Sequence, residues 1–256
     1  WVINAIHYAA QKSIDILNMS LSCNYVPEPT QSQYKAAINA YNGLIVCSAG
    51  NVKSDDANDN ATNIGYPSLF DCDNIISVAS CDSAYNLAPD TKYSPIHVDL
   101  LAPGVDIYST VNINDCIKLS GTSMATPFVT GAAALILSVN PNLSATQIKE
   151  LILNKIDKTT AGSNYVSSGG VLNTLKAVLA AMGYLLGDVN MDGQITAADA
   201  RLALQFAADV VTYNKQQAVM ADVNYDGFLS ASDSRKILRI SAQLDEPLNI
   251  EQEEIM

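Results

Sequence analysis

Apolar positions in the first two thirds of the chain follow two rhythms. Ile14–Leu21, Gly43–Ala49, Ile75–Ala79, Val98–Leu101 and Val105–Thr110 are short, nearly continuous apolar runs rich in β-branched residues. Such runs predict strands buried on both faces. Trp1–Lys12, Gln31–Asn42, Ser123–Val139, Ser144–Lys155 and Gly170–Met182 carry helical spacing instead. Strands and helices that alternate in this way predict an α/β fold, a parallel sheet with flanking helices. Near Gly187 the rhythm changes, and Asp, Asn and Gly recur at fixed offsets. We therefore expect a first domain over 1–183, a small all-α module over 184–245, and a frayed acidic tail over 246–256.

The small module is a duplication. Asp188-Val-Asn190-Met-Asp192-Gly193-Gln194-Ile195-Thr-Ala-Ala-Asp199 matches Asp222-Val-Asn224-Tyr-Asp226-Gly227-Phe228-Leu229-Ser-Ala-Ser-Asp233 at an offset of 34 residues. Each copy places oxygen side chains at the first, third, fifth and twelfth loop positions, with Gly at the sixth for a sharp turn. The backbone carbonyls of Gln194 and Phe228 add one oxygen each. Calcium takes about six to eight oxygens at flexible distances, which this pattern supplies. A pair of acidic Asx-turns on a solvated surface is the plainer alternative. Two matching copies, each followed by a helix with Arg and Leu at the same offsets, favour two bound Ca2+ ions and an EF-hand-like module.

A net charge of −12 argues against nucleic-acid partners and suits an extracellular protein or one that binds hard cations. Cys23, Cys47, Cys72, Cys81 and Cys116 form no CxxC pair, so zinc spacing is absent; most are expected to be small buried hydrophobes. The longest apolar run, Phe128–Val139, is too short for a membrane span. No signal peptide is expected in the opening, which has no initiating Met, basic n-region or cleavage-site pattern.

Two segments suggest chemistry. Gly121-Thr122-Ser123-Met124-Ala125-Thr126-Pro127 precedes an apolar helix. A Ser there is either an ordinary helix cap or a nucleophile with an oxyanion-binding N–H beside it. Asn51, after the strand that ends Ser48-Ala49-Gly50, is either a turn former or an oxyanion donor.

Together with Asn18-Met19-Ser20-Leu21, Gly65-Tyr66-Pro67-Ser68 and Leu101-Ala102-Pro103-Gly104, these blocks resemble the subtilisin-like serine proteases over residues 1 to about 182. The resemblance implies Ser123 as nucleophile and Asn51 as oxyanion donor. It implies a substrate strand along Ser20, Leu21 and Ser22, and a side-chain pocket shaped by Ala49, Gly50 and Gly65. Ser22-Cys23 stand where the family often has two glycines. The family's Asp-[Ser/Thr]-Gly and His-Gly-Thr-His blocks do not occur in this chain and are expected upstream. His7 and His97 lack the Gly-rich setting of a catalytic base, so this chain alone is expected to be inactive.

The duplicated loop-helix with Asp at the twelfth position resembles a type I dockerin. That implies a cohesin domain of a scaffold protein as partner, in a cellulosome-like complex. The implied recognition residues are Ala197, Ala198 and Gln205 in one copy and Ala231, Ser232 and Arg239 in the other. Two functions follow as expectations. One is a secreted endopeptidase acting on peptide or protein substrates and docked on a scaffold. The other is a non-catalytic protease-like carrier for the dockerin.

Overall fold

The computed structural model describes residues 1–52, 62–112 and 115–245. The acidic tail expected over 246–256 lies outside the described residues. The chain divides into two compact units, one over Trp1–Ala177 and one from Val178 onward.

The first unit runs α1 (Val2–Gln11), β1 (Ile16–Met19), α2 (Thr30–Asn39), β2 (Leu44–Ser48), β3 (Ile75–Cys81), β4 (Leu100–Pro103), β5 (Ile107–Val111) and β6 (Asp115–Leu119). It continues with α3 (Thr122–Val139), α4 (Ala145–Asn154), β7 (Asp157–Lys158), α5 (Thr160–Tyr165), β8 (Gly170–Val171) and the start of α6 (Thr174–Ala181), whose residues from Val178 belong to the second unit. A six-stranded sheet has the order β1-β2-β3-β4-β8-β7. Its pairings are parallel except for β7 against β8. Every residue of β2 and β3 is buried, which is why these strands read as nearly continuous apolar runs interrupted only by small serines.

Helix α3 packs on β1 to β4. Its buried face is Thr122, Ala125, Thr126, Val129, Ala132, Ala133 and Ile136, and the three alanines let the helix approach the sheet closely. At 18 residues α3 is long and apolar enough to cross a membrane by length and composition. The apolar run noted in the sequence is shorter because it begins only at Phe128, after Pro127. Its buried contacts with four strands identify α3 as a core helix of this sheet.

Two segments depart from expectation. Val105–Thr110 does not join the main sheet; β5 pairs with β6 in a separate antiparallel ribbon, largely exposed and hence without two buried faces. Gly170–Met182 is not one helix, because Gly170 and Val171 form β8 before α6 begins. All five cysteines are free thiols.

A buried ion pair clamps β7 to α6. Lys176 Nζ lies 2.6 Å from Asp157 Oδ1, with side chains 9% and 4% exposed, and Asn173 Nδ2 donates to Asp157 Oδ2 at 2.9 Å. Asp157→Ala would take the counter-charge from beside the buried ammonium. A destabilisation of about 3–5 kcal/mol is expected, read as a lowered denaturant midpoint; an unchanged midpoint would refute it.

The second unit holds α7 (Ala197–Ala207), α8 (Lys215–Ala221) and α9 (Ala231–Ser241). Helices α7 and α9 pack on each other, and Ser234 Oγ donates to Ala200 O at 2.6 Å across their contact. Phe206, Met220, Val223 and Ile237 form the core, with Val189 from the first loop. Ile195 and Leu229, the eighth residues of the two loops, pack against that same core.

Candidate functional site

The parallel strands β1 to β4 end on one edge of the sheet. The segments after β1, β2 and β4 all meet the start of α3 there, through Ser20, Gly50 and Gly104. Gly121 enters this helix at φ +139°, a conformation that favours glycine. A Cβ on Gly121 would also stand 3.2 Å from Asn51 Nδ2.

Thr122 is fully buried and ties the segments together. Its Oγ1 donates to Asn51 Oδ1 at 2.8 Å and accepts from Gly50 N at 3.2 Å. Its own N–H donates to the same Asn51 oxygen at 3.2 Å. Because Oδ1 serves these two donors, Asn51 Nδ2 faces the other way and donates to Asp90 Oδ2 at 2.8 Å. An amide nitrogen carries two hydrogens, and this bond uses one of them.

Ser123 follows in the first turn. Pro127, four residues on, has no N–H, so the Ser123 carbonyl lacks its helical partner. Ser20 Oγ supplies one, donating to Ser123 O at 2.9 Å, and Ser123 Oγ donates in return to Ser20 O at 3.1 Å. Asn18 Nδ2 braces Ser20 Oγ at 3.0 Å, and Thr130 Oγ1 donates to Asn18 Oδ1 at 2.9 Å. The Ser123 N–H belongs to the group of first-turn amides that a helix leaves without internal acceptors. Serine hydroxyl, helix N–H and Asn51 amide thus occupy one rim, an arrangement suited to attack on a carbonyl and to holding the oxyanion.

The remaining residues of this rim are placed as follows. Ser20 is partly buried, and Leu21 and Ser22 are exposed after β1. Gly50 and Gly65 come together around Ser22, whereas Ala49 lies in the core with Ile64 and Ala79. His97 precedes β4 and therefore lies at the opposite edge of the sheet from Ser123; His7 is exposed on α1. Burial pushes the Cys47 and Cys81 thiols up to about 12, which removes them as nucleophiles. Sequence reading missed Thr122 and Asp90. Thr122 stood inside the quoted block; Asp90 carried no signal, because only the antiparallel bridge between Asn51 and Thr91 brings it to Asn51.

In the second unit the loop oxygens gather around their own backbone. Asp188 Oδ1 and Oδ2 accept from Asp192 N and Gly193 N, and Asp192 Oδ1 accepts from Gln194 N. Asp199 Oδ1 accepts from Asn190 N, while Oδ2 accepts from Thr196 N and Oγ1. Asp233 repeats this with Asn224 N and with Ser230 N and Oγ. The twelfth loop residue is therefore also the third residue of the helix, closing a capping box. The shorter Asp arm suits that double duty.

Among the described residues no three acidic, His or Cys side chains converge tightly enough to mark a metal position. The donor set nonetheless fits calcium, since every side chain concerned offers oxygen. One observation speaks for a missing positive partner: Asp222 Oδ1 is buried without a hydrogen bond. Burial, and then the carboxylates of Asp233 and Asp226, raise Asp222 above the usual carboxylate range against the pull of the Gly227 N–H.

Ala197, Ala198, Ala231 and Ser232 are exposed at the starts of α7 and α9. Gln205 is partly buried. Arg239 is engaged by Asp245, with Nε–Oδ2 at 2.7 Å and Nη2–Oδ1 at 2.6 Å. Ser232 Oγ accepts from Asn224 Nδ2 at 3.1 Å, which ties a surface serine to the second loop.

A parallel sheet with a serine-bearing helix at its carboxyl edge, followed by a duplicated acidic loop-helix, defines a serine-peptidase fold joined to a calcium-type module. The chain belongs to the subtilase family, whose model matches residues 1–211, and it carries a dockerin type I domain, matched over residues 186–239. Subtilisin DY of Bacillus licheniformis is 35% identical over 173 residues, covering 67% of this chain and 60% of that protein. Subtilisin-like protease 1 of Plasmodium vivax is 41% identical over 126 residues, covering 47% and 20%. The major intracellular serine protease of Bacillus subtilis is 34% identical over 177 residues, covering 65% and 53%. The chain thus spans less than two thirds of the length of each of these relatives. Among solved structures, the prenylagaramide maturation protease PagA shares the fold, with a TM-score of 0.58 at 24% identity over 72% of this chain and 67% of that one.

Proposed function

We propose that the whole protein is an extracellular serine endopeptidase attached to a scaffold by its dockerin. Ser123 Oγ bonds to the carbonyl carbon of a peptide and gives its proton to a base. The carbonyl oxygen, now negative, is held by the Ser123 N–H and the second N–H of Asn51 Nδ2. The amine leaves with the proton from that base, and water later releases the acyl group by the same steps. The base and its orienting acid come from residues outside this chain, since His97 lies at the wrong edge and His7 on an outer helix. The observation that supports the reading is the set of hydrogen bonds from Ser123 to Ser20 and from Thr122 to Asn51, which holds Ser123 and Asn51 on either side of Thr122.

The dockerin binds two calcium ions through Asp188, Asn190, Asp192, Asp199 and the Gln194 carbonyl, and through Asp222, Asn224, Asp226, Asp233 and the Phe228 carbonyl. So loaded, it docks into a cohesin of a cellulosome-like scaffold, using Ala197, Ala198 and Gln205 or Ala231, Ser232 and Arg239.

A fluorophosphonate probe should label the whole protein at Ser123, fail with Ser123→Ala, and leave this chain alone unlabelled. A positioned base contributes about 10²–10⁴-fold, so the difference between whole protein and chain should be plain on a gel. An unlabelled but folded whole protein would overturn the peptidase reading. It would favour a non-catalytic carrier, a reading in keeping with the Asn51 amide already bonded to Asp90.

A further inference from the structure

Gly50 and Gly65 face a common space, and that space is occupied. A Cβ built on Gly50 would stand 3.0 Å from Ser22 Oγ, and one built on Gly65 would stand 2.5 Å from the same atom. The two bare backbones therefore point at one hydroxyl. Gly50 directly precedes Asn51, so the space opens beside the oxyanion donor. It is where the side chain of the residue under attack would enter.

The backbone that carries Ser22 cannot draw back. Cys23 N donates to Tyr66 O at 3.0 Å and Tyr66 N donates to Cys23 O at 2.8 Å, clamping the segments of Ser22 and Gly65 to each other. The opposite flank is closed as well. Lys92 is 1% exposed, its Cδ lies 3.3 Å from the Gly50 Cβ position, and its Nζ donates to Asn24 Oδ1 at 2.9 Å. Ser22 itself is exposed, so an entering side chain meets it.

We propose that Ser22 makes this slot shallow, so that the protein takes peptides with Gly, Ala or Ser at the attacked residue and excludes aromatic ones. A flat ring needs the gap between the two glycine backbones, and the Ser22 hydroxyl stands in it. A methyl group stops short of it. The inference rests on the peptidase reading for the identity of the slot.

Product-type tetrapeptides that differ only in the last residue, Ala or Phe, test it without chemistry. Their binding to this chain is followed by calorimetry and by amide shifts of Gly50 and Gly65. The Ala peptide should bind more tightly, and Ser22→Gly should move the Phe-to-Ala ratio by about tenfold toward Phe. Ser22→Ala, which keeps the Cβ and perturbs folding less, should move it in the same direction by a smaller factor. A preference for Phe in the unaltered chain, or a ratio unmoved in both variants, would overturn the inference. So would failure of both peptides to bind any form, since the space would then be no substrate slot. Fluorophosphonate labelling fails independently. A moved ratio without labelling sinks only the peptidase reading, and labelling with an unmoved ratio sinks only the shallow slot.

Discussion

Stripping calcium should melt the second unit and abolish cohesin capture. Each loop carries three aspartates, Asp188, Asp192 and Asp199 in one and Asp222, Asp226 and Asp233 in the other. Without a cation these charges repel, and the buried Asp222 Oδ1 has nothing to offset its lost hydration. A site loaded at a thousand times its dissociation constant contributes about 4 kcal/mol. Two such sites are comparable to the whole stability of a domain, about 5–15 kcal/mol, and a unit this small sits near the low end. Chelation should therefore reduce the helical circular dichroism. It should also open Arg201, Arg235 and Lys236 on α7 and α9 to trypsin, both effects reversing when calcium returns. Unchanged dichroism and unchanged cleavage under chelation would disprove the calcium assignment. Capture of a cohesin by the stripped protein would disprove the dependence.

Asn51→Ala in the whole protein should cut kcat by about 10²–10³, a magnitude measured for an oxyanion-donor loss in a subtilisin. KM should hardly change, because the donor acts on charge that appears only in the transition state. The substitution also removes the acceptor for Thr122 N–H and Oγ1. Circular dichroism and the melting temperature must therefore accompany the kinetics. A loss confined to KM, or one matched by unfolding, would assign Asn51 to structure. Asp90→Asn is the companion. It keeps a partner for Asn51 while taking a negative charge from beside the forming oxyanion, so kcat should hold or rise.

Strands β2 to β4 were legible because burial leaves a nearly continuous apolar run, as in Ile75–Ala79. The loops were legible because metal ligation demands residue types at fixed offsets. What escaped was set by contacts between distant segments. Gly170 and Val171 look like the start of a helix until the pairing of Val171 with Leu101 draws them into the sheet. The signal of Val105–Thr110 did become β5, but its partner β6 opens on Asp115 and carries Lys118, so no apolar run announced the ribbon's second strand. Asp90 gained its place at Asn51 only through a bridge between segments some forty residues apart. In the second unit, spacing named the twelfth-position aspartates but not their second task as helix caps.

Pro127 gives the motif a mechanical meaning. By withholding one N–H it hands the Ser123 carbonyl to a hydroxyl on the far side of the cleft. Ser123 is thereby registered against two supports, its own helix and the tip of β1. A helix that frays or slides by a fraction of an ångström carries an unbraced side chain with it. A residue pinned at both ends of a gap keeps its aim, and its tolerance is that of the sheet beneath.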